Sequence, residues 1–169
     1  MSTLVLGIGN PYMSDDGIGP RVARQLLRES GLPPDVTIVD GGTQGLGLLS
    51  LLEGVERLLV VDAVNSGCAA GTVVRLAGDR VPRAIRVKFS MDEAGLSDLL
   101  AAAELLGHIP REIVLWGMQP GVLEFGEQLS PPVAARFETL VTHVLAELAD
   151  WGTERDGAWR DQPEFRVMP

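Results

Sequence analysis

Short aliphatic runs that alternate with amphipathic segments most restrict the folds open to this chain. The run from Thr3 to Ile8 is apolar and β-branched and ends at Gly9-Asn10-Pro11, which predicts a buried strand leading into a loop. Gly17 to Arg28 follows, with apolar residues at the spacing of a helix with one inward face. Strands and helices in alternation predict a mostly parallel sheet covered on both faces.

The alternation continues along the chain. Further strands are predicted at Val36 to Val39, Arg57 to Val61, Thr72 to Leu76, Ile85 to Phe89 and Glu112 to Trp116. Helices are predicted at Gly45 to Leu52 and Leu96 to Leu106. A last helix is predicted from the cap at Ser130-Pro131 to Leu148. The strand from Thr72 follows its predecessor without a helix, so we expect that pair to be antiparallel at a sheet edge. The predicted fold is a single-domain α/β three-layer sandwich, a twisted, mostly parallel five-stranded sheet with helices on both faces.

Length and periodicity set the domain organisation. A chain of 169 residues with 46% hydrophobic residues is the size of one domain with its own core. Residues 152–169 lose the periodic pattern and mix charge with Pro and Gly. We therefore predict one domain over residues 1–151 and a flexible C-terminal tail over 152–169.

Charge and cysteine content restrict partners and compartment. The net charge of −9 disfavours a surface for nucleic acid, and no apolar run approaches the length of about 20 residues that spans a bilayer. The single cysteine, Cys68, excludes an internal disulfide, and the first residues lack the pattern of a signal peptide. We expect a cytoplasmic monomer without a membrane or nucleic-acid partner.

Acidic residues follow several of the predicted strands. In a doubly wound sheet, ligands bind outside the carboxyl ends of the strands, where helix N-termini also converge. Carboxylates gathered there repel one another unless a cation or a shared proton offsets the charge. The residues in these positions are Asp15 and Asp16 after the first strand, Asp40 after the second, Asp62 after the third, and Asp92 and Glu93 after the strand ending at Phe89.

Four of these acids also have an ordinary structural interpretation. Asp15 or Asp16 is placed to cap the helix that begins near Gly17. Asp40 and Asp62 are placed to start an Asx turn where a buried strand reaches the surface. One acid alone is therefore weak evidence of a site.

Other chemistries find little support. A dinucleotide-binding loop starting at Gly7-Ile8-Gly9 would have its third glycine at Tyr12, and Pro11 removes a backbone donor. The sequence contains no serine-hydrolase elbow, zinc-protease helix or P-loop motif. His108 and His143 lie at the end of one predicted helix and inside another, and we interpret both as structural.

Three motifs follow the first three predicted strands: Gly7-Ile8-Gly9-Asn10 with Asp15-Asp16-Gly17-Ile18-Gly19, then Val39-Asp40-Gly41-Gly42-Thr43, then Val61-Asp62-Ala63. Taken together, they closely resemble the nickel-iron hydrogenase maturation proteases. The likeness continues through Ser90, Gly95-Leu96 and Leu115-Trp116-Gly117-Met118-Gln119-Pro120, so it covers about Thr3 to Leu148.

The resemblance implies an endopeptidase that removes the C-terminal extension of a nickel-loaded [NiFe]-hydrogenase large-subunit precursor. Nickel would arrive with that precursor and serve as the recognition element. Asp16 and Asp62 match the catalytic and metal-contacting acids of the family. The family's third, histidine ligand falls at Asp92, beside Glu93. A set of ligands made only of carboxylates is chemically harder than a set that includes imidazole. A divalent metal other than nickel is therefore an alternative.

Supporting roles and alternatives follow from the same comparison. Asp40 with the Gly41-Gly42-Thr43 turn is expected to orient a ligand or water and to let a peptide approach the backbone. Aspartate in place of the family histidine leaves open a protein that binds the hydrogenase subunit without cleaving it. A Rossmann-like nucleotide-binding protein is the third, weaker alternative.

Overall fold

The computed structural model describes residues 1–29, 31–78, 81, 95–153 and 165–168. The strands in this part of the chain are β1 Thr3–Ile8, β2 Val36–Gly42, β3 Arg57–Ala63, β4 Val73–Ala77, β5 Glu112–Met118 and β6 Phe165–Met168. The α-helices with described bounds are α1 Ile18–Leu26, α2 Leu96–Leu105, α3 Pro131–Ala134 and α4 Phe137–Thr153. Two 3₁₀ helices span Ser14–Gly17 and Gly45–Leu52.

The strands form one sheet in the order β2-β1-β3-β5-β4-β6. β1 is parallel to β2 and to β3, and β3 is parallel to β5. β4 is antiparallel to β5, as the sequence predicts, and β6 is antiparallel to β4. The predicted single-domain, mostly parallel α/β fold is confirmed, with β6 added outside β4 so that β4 is not an edge strand.

Two apolar layers sandwich this sheet because side chains alternate along each strand. Val5 of β1 and Leu59 and Val61 of β3 pack with residues of α1 and α4 on one face. Leu4 and Leu58 belong to the other face, where residues of the 3₁₀ helix Gly45–Leu52 and of α2 cover them. The three-layer arrangement follows from strands that are apolar on both faces.

Glycines let the start of α1 lie directly on the sheet. A Cβ on Gly19 would lie 2.2 Å from the Ile8 carbonyl oxygen and 2.3 Å from that of Val61. A Cβ on Gly7 would lie 2.2 Å from the Gly19 carbonyl oxygen. Only glycine fits at such distances. The close approach fixes the loop before α1 against the carboxyl ends of β1 and β3.

A buried ion pair joins α4 to the antiparallel side of the sheet. Arg75 of β4 donates two hydrogen bonds of 2.7 Å to the carboxylate of Glu147, and Trp116 Nε1 donates a third at 3.0 Å. Hydrogen bonding to Glu147 raises the pKa of Arg75 above its ordinary value. His143 of α4 stacks on Trp116 at 4.8 Å. This histidine therefore packs between helix and sheet, in agreement with the structural role predicted for it.

The last predicted helix differs from the observed one. The sequence predicts one helix from Ser130-Pro131 to Leu148, but the chain forms α3 and then α4. Ser130 stands at the predicted N-cap, yet its hydroxyl donates to Asp15 at 2.7 Å instead of capping α3. A Cβ on Gly71 would lie 2.4 Å from the Pro132 carbonyl oxygen. Contacts with two distant loops thus orient α3, whereas the apolar stripe directs α4 to the sheet.

At both of its described ends, the predicted flexible tail over 152–169 forms regular structure. Helix α4 continues to Thr153, and Phe165–Met168 pairs antiparallel with β4. Met168 is 8% exposed and belongs to the core. Strand β6 does not need a periodic apolar face. Its backbone hydrogen bonds to β4 and the buried side chain of Met168 hold it on the sheet. Trp159, the other aromatic residue of the predicted tail, lies outside the described residues.

Removing residues 165–169 is therefore expected to destabilise the domain. The deletion withdraws the β6 ladder from β4 and empties the volume of Met168, which is expected to cost about 3 kcal/mol in the free energy of unfolding. Urea unfolding of the truncated and full-length chains measures the difference. Met168→Ala in the full-length chain should show part of the loss, and an unchanged midpoint for the truncation would mean that β6 contributes nothing.

Candidate active site at the carboxyl edge of the sheet

Asp62 is a fully buried acid at the end of β3. In the parallel ladder with β5, Asp62 pairs with Gly117. The residue before it, Val61, pairs with Gly7 of β1 on the other side. The exposed fraction of Asp62 is 0%. By alternation from Leu58, its side chain belongs to the sheet face covered by α2. Burial of a carboxylate is costly unless the charge is paired, hydrogen-bonded or bound to a cation, and a buried acid at the ligand-binding edge of a sheet is a candidate for a functional role.

Asp16 stands at the end of the adjacent strand. It lies in the 3₁₀ helix Ser14–Gly17, which packs against β3. One oxygen of its carboxylate accepts a 2.8 Å hydrogen bond from the Asn10 backbone N–H, just past β1. Gly9 has φ +133° and a Cβ there would overlap the Asp16 carbonyl oxygen. Asp16 and Asp62 thus occupy the carboxyl ends of neighbouring parallel strands.

Asp40 is held in a different environment. Its carboxylate accepts a 2.8 Å hydrogen bond from Arg24 Nε of α1 and is about one-quarter exposed. It therefore belongs to the α1 face of the sheet, opposite the face of Asp62, and β1 separates the two strands. The bond from Arg24 thus holds the Asp40 carboxylate on the face away from Asp62.

The turn after Asp40 shapes the edge through its backbone. Gly42 adopts φ +48°, a left-handed conformation that favours glycine, and its carbonyl accepts a 3.0 Å hydrogen bond from Gly9 N–H. Gly41 is buried, and a Cβ there would lie 3.1 Å from Leu48 Cδ1. Thr43 is exposed beyond the strand. Gly41 therefore permits packing against Leu48, and Gly42 holds the loop that carries the Asp16 contact.

Asp15 has a role that sequence reasoning missed. It does not cap α1, whose N-cap is Gly17 without a side-chain hydrogen bond. The Asp15 side chain is 1% exposed and accepts four hydrogen bonds of 2.7 to 2.8 Å from the segment 121–130. The donors are the backbone N–H groups of Gly121, Val122 and Ser130 and the hydroxyl of Ser130.

Ser14 strengthens the same connection. Its hydroxyl donates to the Glu124 carbonyl at 2.9 Å, and its N–H donates to that of Gly126 at 2.8 Å. Ser14 adopts φ +50°, which costs about 1 to 3 kcal/mol for a residue other than glycine. The loop after β1 and the segment 119–130 therefore form one hydrogen-bonded unit. Its partners lie more than 100 residues apart, so no short-range pattern predicts it.

The third predicted ligand position is not described. Asp92, Glu93, Ser90 and the predicted strand from Ile85 to Phe89 all lie outside the described residues. Within the described ranges, no three His, Cys, Asp or Glu side chains come together as a metal site. Asp16 and Asp62 fit a divalent cation as oxygen donors, and further donors have to come from elsewhere in the chain or from a bound partner.

The fold and the position of the acids define the class of protein. This is a doubly wound α/β protein with an acidic site at the edge where such sheets bind their ligands. A family model described as hydrogenase maturation protease matches residues 20–147. With that match over most of its length, the chain belongs to the hydrogenase maturation protease family.

Individual relatives agree with this assignment. The hydrogenase expression/formation protein HupD of Rhodobacter capsulatus is 41% identical over 89% of this chain and 73% of its own. The hydrogenase 2 maturation protease of Escherichia coli is 37% identical over 91% and 94%. The structure of the hydrogenase maturating endopeptidase HybD from E. coli superposes with a TM-score of 0.84, at 37% identity over 90% and 94%.

A more distant structure extends the comparison. The [NiFe] hydrogenase maturation protease HybD of Thermococcus kodakarensis has a TM-score of 0.69 at 25% identity, over 88% of this chain and 99% of its own. The predicted resemblance, fold and enzyme class are confirmed: the chain is a hydrolase of the protease type. No helix in the described part of the chain is long and apolar enough to cross a membrane.

Proposed function

We propose that this protease is an endopeptidase that removes the C-terminal extension of a nickel-loaded [NiFe]-hydrogenase large-subunit precursor. The observation that carries the proposal is Asp62, a fully buried acid at the carboxyl end of β3, next to the strand whose loop presents Asp16. A solved relative bears the name hydrogenase maturating endopeptidase, and another is named for [NiFe] hydrogenase. Acids of this kind, in a family of proteases, support recognition of a cationic centre.

Nickel is part of the substrate in this proposal. A divalent cation bound beside a peptide polarises the scissile carbonyl and lowers the pKa of a neighbouring water. Asp62 would act on that charge from a buried position, where electrostatic attraction is stronger than in water. The Asn10 N–H bond fixes the orientation of the Asp16 carboxylate. The two acids thus serve as the catalytic and metal-contacting pair, as in an aspartic-type, metal-recognising enzyme, and Asp40 with Gly41, Gly42 and Thr43 supports the edge.

Asp92 is proposed as the third contact, with Glu93 as the reserve candidate. Imidazole suits nickel well, whereas a set made only of carboxylates also suits magnesium, calcium or manganese. Asp92→Ala is expected to abolish cleavage of a nickel-loaded precursor, whereas Asp92→His retains or improves it because neutral imidazole suits nickel and relieves the crowding of carboxylates. The initial rate of cleavage is the measurement. Glu93→Ala is the matched control, and if it is the inactive variant instead, the assignment shifts by one residue.

Incubation with the precursor tests the function itself. The purified chain is mixed with nickel-loaded large-subunit precursor, and mass spectrometry follows the product. Loss of a C-terminal fragment at a single peptide bond is the expected result. A stable complex with a precursor of unchanged mass would instead establish the binding-protein alternative, which the aspartate at position 92 motivates.

The setting of the reaction is also proposed. We infer a monomer that works in the cytoplasm, supported by a single cysteine and by the strongly negative net charge of −9. Size-exclusion chromatography with light scattering measures the oligomeric state. Fractionation of cells that express the chain tests the compartment.

A further inference from the structure

Exposed apolar side chains extend from the hydrogen-bonded unit beside the acidic edge. Phe125 is 87% exposed, Tyr12 is 56% exposed and Val122 is 38% exposed. The backbone N–H of Gly126 donates to the Tyr12 carbonyl at 2.8 Å, and that of Asp15 donates to the Val122 carbonyl at 3.1 Å. Tyr12, Val122 and Phe125 are named the aromatic rim below.

The backbone beneath the aromatic rim is held in place. The four bonds to the buried Asp15 carboxylate and the bond from the Ser14 hydroxyl to Glu124 fix the segment on both sides of Phe125. Because the backbone is already ordered, covering such a side chain costs its rotamer freedom but no ordering of the loop. Exposed aromatic residues of this kind are typical hot spots of protein interfaces.

The aromatic rim is continuous with the proposed catalytic acids. Tyr12 N–H donates to Asn10 Oδ1 at 3.0 Å, and Asn10 N–H donates to the Asp16 carboxylate at 2.8 Å. Two hydrogen bonds thus link Tyr12 to Asp16 within one short loop. The aromatic rim lies beside Asp16, so a protein bound at Asp16 is within reach of Tyr12.

We propose that the aromatic rim is the docking surface for the folded body of the large-subunit precursor, a proposal that rests on the proposed function. A protruding side chain such as Phe125 needs an apolar pocket, which a folded protein surface presents and a short extended peptide does not. A second copy of this chain is the poorer occupant, because each copy carries a net charge of −9 and the copies repel one another. The partner is a folded subunit with an apolar depression beside its scissile extension.

The test compares two surface variants in the full chain. Tyr12→Ser/Phe125→Ser removes the two aromatic side chains, and Leu105→Ser is the matched control, because Leu105 is 88% exposed at the end of α2 that leads to the amino end of β5. The probe is the nickel-loaded precursor, with Kd measured by surface immobilisation and KM and kcat by cleavage. The rim variant is expected to raise Kd and KM by at least about tenfold with kcat within about twofold, whereas Leu105→Ser changes neither.

Each outcome separates docking from catalysis. Unchanged Kd and KM in a rim variant that unfolds at the parental temperature overturn docking and leave the endopeptidase proposal standing. Binding that depends on the rim without any cleavage supports docking and removes the endopeptidase proposal. A parental chain that does not bind the precursor overturns docking. If the parental chain is a monomer and the rim variant is no more soluble than it, self-association is excluded as the role of the rim. A parental dimer that the rim variant abolishes overturns the proposal.

Discussion

Asp62→Asn is expected to lower the rate of precursor cleavage by about a thousandfold while the domain stays folded. The amide has nearly the volume of the carboxylate, so the packing at the end of β3 is retained. It lacks the negative charge that the proposed function requires at this position. The residue is fully buried and makes no part of the exposed surface, so loss of activity without loss of stability would assign it to chemistry and not to docking.

The measurement is the initial rate with nickel-loaded precursor, alongside thermal unfolding of each variant. Asp35→Asn is the matched control, because Asp35 lies just before β2 at the opposite edge and pairs with the amino terminus at 3.2 Å. This control should cleave at the parental rate. Cleavage by Asp62→Asn at close to the parental rate would remove Asp62 from the mechanism.

Asp15→Ala is expected to cause the largest loss of stability among the surface and loop substitutions. It leaves four donors without their acceptor, two of them buried and two partly buried, and frees the segment 121–130 from the loop after β1. Each buried donor left unsatisfied costs about 1 to 3 kcal/mol, and partial access of water reduces the sum, so we expect a loss of about 4 kcal/mol in the free energy of unfolding.

Denaturant unfolding measures this loss, and two variants calibrate it. Asp15→Asn keeps one acceptor oxygen and should recover part of the stability. Glu127→Ala alters an exposed acid in the same segment and should be close to neutral. An unfolding midpoint for Asp15→Ala within error of the parental chain would show that these hydrogen bonds do not hold the segment.

Most of the fold could be predicted because its signals are local. The apolar runs of β1, β3 and β5 and the periodicity of α1 are visible within windows of about ten residues. The break between α3 and α4 has no such signal, since contacts of Ser130 with Asp15 and of Pro132 with Gly71 orient α3. Strand β6 was missed because pairing with β4 does not require an apolar period.

The candidate site could be predicted in outline and not in detail. The rule for carboxyl ends of parallel strands placed Asp16 and Asp62 on neighbouring strands. The same rule could not show that Asp40 lies apart from Asp62. The sheet face to which an acid at a strand end points depends on the register of the pleat and on a partner such as Arg24. Asp15 looked like a helix cap, and only its contacts with Ser130 and the residues near it show a different role.

Dependence on the metal in the precursor tests the central claim most directly. Precursor is prepared with nickel and without it, and mass spectrometry follows both with the same amount of the purified chain. The account predicts removal of the C-terminal extension from the nickel-loaded precursor alone, and loss of that cleavage in Asp16→Asn and Asp62→Asn. Equal cleavage of the metal-free precursor, or cleavage unaffected by both substitutions, would contradict it.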